Sequence, residues 1–101
     1  MSYDFVNKRG VIADITQAID HYKNISPELA KQFLFRIREA KAYIARSPFG
    51  FQVKYKEVRT LLLKQFPYHI HYLIDDTKKQ IIILAIIHAY RNQQDYSDRS
   101  L

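Results

Sequence analysis

The stretch Ile81-Ile82-Ile83-Leu84-Ala85-Ile86-Ile87 is seven apolar residues without a polar interruption, rich in β-branched side chains and bounded by Gln80 and His88. It is far short of the roughly 20 residues a membrane-spanning helix needs. A short β-branched run of this kind reads as a strand, and its lack of alternation implies burial on both faces. That requires either an interior position in a sheet or a partner over the second face. Two further segments after Gly50 have strand character, Val58 to Lys64 and Pro67 to Ile74. In the latter, Tyr68, Ile70, Tyr72 and Ile74 share one face while His69, His71 and Leu73 share the other, as the two-residue period of a strand demands. The polar Asp75-Asp76-Thr77-Lys78-Lys79 is predicted to be the hairpin loop joining the last two strands.

Before Gly50 the period is helical. Tyr3 to Asn7 suits a short first strand, after which Val11, Ile15, Ala18, Ile19 and Tyr22 recur at helix spacing. Ser26-Pro27-Glu28 then starts a second helix: the serine caps free amides, proline suits the first turn, and glutamate suits the positive end of the helix dipole. Ala30, Phe33, Ile37, Ala40 and Ile44 lay an apolar stripe along it, and Ser47-Pro48-Phe49-Gly50 ends it. The predicted order is strand, helix, helix, strand, strand, strand. This is an α+β fold with the helical hairpin packed on one face of a mainly antiparallel sheet.

At 101 residues, the chain suits one domain. An ordered core is expected over about 3–91, with a polar tail, 92–101, that frays. The absence of cysteine excludes disulfides and thiolate metal sites and fits a reducing cytoplasm. The first residues lack the basic-then-apolar pattern of a secretory signal, so the expected location is the cytoplasm, with no membrane association. A formal charge of +6 favours acidic partners, either nucleic acid or an acidic protein segment.

Several local patterns in order resemble the RelE/ParE superfamily, the toxins of type II toxin-antitoxin systems that include plasmid stabilisation proteins. They are Ala18-Ile19-Asp20-His21-Tyr22, Ile25-Ser26-Pro27-Glu28-Leu29-Ala30, Arg46-Ser47-Pro48, Val58-Arg59 to Leu63-Lys64, Phe66-Pro67-Tyr68-His69-Ile70-His71-Tyr72, and Ile83-Leu84-Ala85-Ile86-Ile87-His88-Ala89-Tyr90-Arg91-Asn92. The resemblance implies that residues 1–101 form a single toxin domain that inhibits growth and is neutralised by a cognate antitoxin folding onto its surface. It implies no small-molecule cofactor and no metal.

The superfamily has two branches. RelE-like members cleave mRNA on the ribosome without metal, which takes a base, cations for the developing phosphate charge, and an acid or stacking aromatic at the leaving side. By that resemblance the catalytic candidates are His69, His88, Arg91 and Tyr96. The match is incomplete, because Thr60 and Leu62 stand where that branch has basic residues and His69 where it has arginine. ParE-like members bind DNA gyrase and need no catalytic set. Ile86-Ile87-His88-Ala89-Tyr90-Arg91-Asn92 is more similar to that branch, so the reading favours ParE, with Arg59, Lys64 and Tyr90 as contacts to target or phosphate. A third possibility is a non-toxic module that only binds an antitoxin. Each candidate also has a plain reading. His69 and His71 are ordinary strand histidines rather than metal ligands, Tyr68 and Tyr72 are core rather than a base-stacking platform, and Lys54, Lys56, Arg59 and Lys64 are a solvated basic rim.

Overall fold

A computed structural model describes residues 2–90. Its elements are β1 (Asp4–Asn7), α1 (Val11–Ile25), α2 (Pro27–Arg46), a single 3-10 turn (Pro48–Gly50), β2 (Val53–Tyr55), β3 (Val58–Leu62), β4 (Tyr68–Asp75) and β5 (Gln80–His88). The five strands form one sheet in the order β1-β5-β4-β3-β2, with β1 parallel to β5 and every other pairing antiparallel. The α+β class and the helical hairpin on one face are as the sequence predicts.

Gly10 precedes α1 with φ 94°, a left-handed conformation that costs glycine nothing and any other residue strain. Ser26 ends α1, donating its amide to the carbonyl of Tyr22, and begins α2, where its Oγ accepts from the amide of Glu28 at 3.2 Å. One residue thus serves two helix ends, which forces the chain to reverse and makes the hairpin tight. The stripe of α2 faces the sheet as expected: Ala30, Phe33, Ile37, Ala40 and Ile44 are its buried residues. Phe33 is fully buried in an aromatic cluster with Tyr22, Phe66 and Tyr68, with ring centroids 5.2 to 5.5 Å from its own. Tyr72 is also fully buried, and its hydroxyl donates to the carbonyl of Pro48 at 2.7 Å, so Tyr68 and Tyr72 belong to the core.

Two features were not foreseen. β2 is an extra strand, only three residues long, paired with β3 at Val58 and Arg59 through an irregular register. It turns back through Lys56 at φ 46°. The second feature is a bulge in β5. His71 pairs with Ala85 but Tyr72 pairs with Ile83, so two residues of β5 oppose a single step of β4. Ile81, Ile83 and Ile86 therefore face the helices, while Ile82, Leu84, Ala85 and Ile87 belong to a second apolar cluster with Val58, Tyr55 and Leu73. The seven-residue run is buried on both faces, and β5 lies inside the sheet, between β1 and β4.

Candidate functional site

The face of the sheet away from the helices carries the first candidate cluster. Register places Thr60 opposite His71 and Leu62 opposite His69, so these four share a surface whose floor is Leu84, Ala85 and Ile87. The rings of His69 and His71 lie edge to face, 5.9 Å apart. Burial, reinforced by the positive charge of Lys54, holds the pKa of His69 below the usual histidine value. His71 is pushed further, to about 4, by burial first and then by His69 and Lys54. Both imidazoles are therefore neutral at neutral pH and cannot act as cations toward a phosphate, whereas Lys54 can. Neutral imidazole can still take a proton or ligate a metal. Among the described residues, however, no three histidine or acidic side chains come together as a metal site. Leu62 is exposed on this surface and offers nothing to a phosphate.

His88 lies elsewhere. It pairs with Tyr68, which faces the helices, while its neighbour Ile87 pairs with His69. The two histidines with acid and base chemistry are therefore on opposite faces of the sheet, and the structure does not bring them together. His88 stacks edge-on against Tyr68 at 5.5 Å and accepts from the amide of Tyr90 at Nδ1, 3.3 Å away. Tyr90 is exposed, with its ring 5.1 Å from that of His88. Below His88 a slot opens between α1 and the end of β5, lined by Asp14, Gln17, Ala18, Tyr68 and Ile86.

Asp14 is the polar residue that the sequence reading missed. It is only 9% exposed, and its Oδ2 accepts from the buried amide of Ile86 at 3.0 Å. β1 pairs with β5 only as far as Ile83, so beyond that point the carboxylate supplies Ile86 with the acceptor a neighbouring strand would have provided. An acid on the same helical face as Val11 and Ala18 was the available signal.

The remaining candidates are dispersed. Arg59 is occupied structurally: its Nη1 donates to the carbonyls of Phe49 at 3.1 Å and Phe51 at 2.7 Å, and its guanidinium lies over the ring of Phe49. Lys64 sits at the far end of β3 on the helix side, where its Nζ donates to the hydroxyl of Tyr43 at 3.3 Å. Arg91 and Tyr96 lie outside the described residues. No helix among those described is long and apolar enough to cross a membrane.

No protein-family model matches the chain, and no curated protein matches it. Solved structures do. The chain is similar to one in the chromosomal ParDE TA system from P. aeruginosa, at 27% identity and a TM-score of 0.72 over 85% of this chain and 95% of that one. It also shares its fold with a chain of the toxin-antitoxin complex RelBE2 from Mycobacterium tuberculosis, at 15% identity and a TM-score of 0.59 over 87% of this chain and 99% of that one. With the element order, the sheet and the motifs in agreement with these likenesses, the chain is a member of the RelE/ParE superfamily.

Proposed function

We propose that the chain is the toxin component of a type II toxin-antitoxin system, neutralised by a cognate antitoxin, and that it acts in the manner of ParE by poisoning DNA gyrase. The likeness to the ParDE chain supports the first part. The observation that carries the second is the separation of His69 from His88 across the sheet, with exposed Leu62 beside His69 where a nuclease of this superfamily would need a cation. A binder of gyrase needs no convergent acid and base, so this dispersal costs it nothing.

A ribosome-dependent mRNA nuclease is the second reading, and one observation favours it. His69, held neutral, stands beside His71 within the influence of Lys54, which is a base and a cation on one surface. Pulse-labelling of new protein and new DNA in cells after induction separates the two. Loss of DNA synthesis with translation initially intact is the expected result. Prompt loss of translation, abolished by His69→Ala, would replace gyrase with mRNA. No effect on either would leave only an antitoxin-binding module.

A further inference from the structure

The end of α2, the segment after it and β3 enclose a shallow groove lined by Tyr43, Arg46, Ser47, Phe51 and Leu61. Phe51 and Leu61 are half-buried and continuous with the core, so they form an apolar floor. Two cations stand at Tyr43: the Arg46 guanidinium lies 5.4 Å from its ring centroid and the Lys64 ammonium 5.3 Å. Both side chains are exposed, and neither forms an ion pair among the described residues. The wall is held from behind, because Arg59 binds the carbonyl of Phe51 and buried Tyr72 binds that of Pro48. The groove therefore has its shape before anything enters it, and little ordering cost remains for a ligand.

A preformed apolar floor flanked by two cations that have no carboxylate partner among the described residues is complementary to a peptide that is apolar and acidic together. From this geometry we propose that the groove docks an acidic peptide segment, which sets one large apolar side chain against Phe51 and Leu61 and carboxylates against Arg46 and Lys64. The chain's net charge of +6 draws such a segment in. β2 pairs with β3 only at Val58 and Arg59, so among the described residues Leu62 has no strand partner on its outer side, and an extended segment can add main-chain hydrogen bonds there. The proposal rests on the toxin-antitoxin reading only in identifying the segment's owner as the antitoxin; the groove and its chemistry are independent of it.

The test is an amide chemical-shift titration of the full chain with a synthetic Glu-Asp-Leu-Glu-Glu-Leu-Asp-Glu peptide, alongside the same peptide with serine for leucine and a single-stranded oligonucleotide. Shifts confined to Tyr43, Arg46, Phe51 and Leu61 are expected with the first peptide only. Arg46→Glu combined with Lys64→Glu, both surface changes whose fold is checked by the unperturbed remainder of the spectrum, should weaken binding about tenfold or more. Binding unchanged in that variant, equal binding of the serine peptide, shifts centred on another surface, no shifts at all, or preference for the oligonucleotide would each overturn the proposal. Growth after induction is measured in parallel. Arrest without peptide binding removes the groove and leaves the toxin, while peptide binding without arrest leaves the groove and removes the toxin.

Discussion

Replacing Asp14 by alanine tests whether a side chain does the work of a missing strand. In the parent the amide of Ile86 is buried and bonded to the Asp14 carboxylate at 3.0 Å. Removal strands a buried donor, since β1 ends at its pairing with Ile83 and cannot reach Ile86. A hydrogen bond to a charged group contributes about 1.5–3 kcal/mol, and an unsatisfied buried donor costs a similar amount, so Asp14→Ala should lose roughly 2 kcal/mol. For a domain of this size that corresponds to a fall in Tm of roughly 8–16 °C. Asp14→Asn keeps an acceptor oxygen without the charge and should lose about half as much. Urea unfolding gives the free energies, and hydrogen exchange at the Ile86 amide reports the bond directly. A loss below about 0.5 kcal/mol, the range of an ordinary surface substitution, would refute the reasoning, as would parental protection of that amide in Asp14→Ala.

Acid should destabilise the protein through His71. Its pKa of about 4 in the folded chain is below the ordinary 6.5, so its contribution is fully present above pH 6.5 and is lost as pH falls toward 4, amounting to roughly 3 kcal/mol at most. Subtracting the urea-unfolding pH profile of His71→Asn from that of the parent isolates this term, and a flat difference between pH 7 and pH 4 would count against it. Tyr72→Phe removes the donor to Pro48 and should cost about 1 kcal/mol by the same assay, with the signals of Phe49 and Phe51 shifting as the turn loosens. Ser26→Ala removes the α2 cap and should also cost about 1 kcal/mol, whereas Ser26→Asp should be close to neutral.

The helices were legible because their signals are local. The stripe Ala30, Phe33, Ile37, Ala40 and Ile44 needs only the 3.6-residue period, and Ser26-Pro27-Glu28 needs only the chemistry of a helix end. β2 escaped notice because three residues, Val53-Lys54-Tyr55, are too few to display a two-residue period. Arg59 looked like a free cation since nothing local shows that carbonyls ten and eight residues earlier in the chain turn toward it.

Sequence alone determined the division into a helical hairpin and a sheet, the turn at Ser26, and burial of the last strand on both faces, since these follow from period and composition. Only the tertiary structure decided on which side of the sheet each residue near the end of that strand lies. Strict alternation from Ile81 would put His88 on the same face as Ile82, beside His69. The bulge at Leu84 and Ala85 shifts the count by one and sends His88 to the helix side. That shift depends on the hydrogen-bond register with β4 and on where β1 stops, which are contacts between distant parts of the chain.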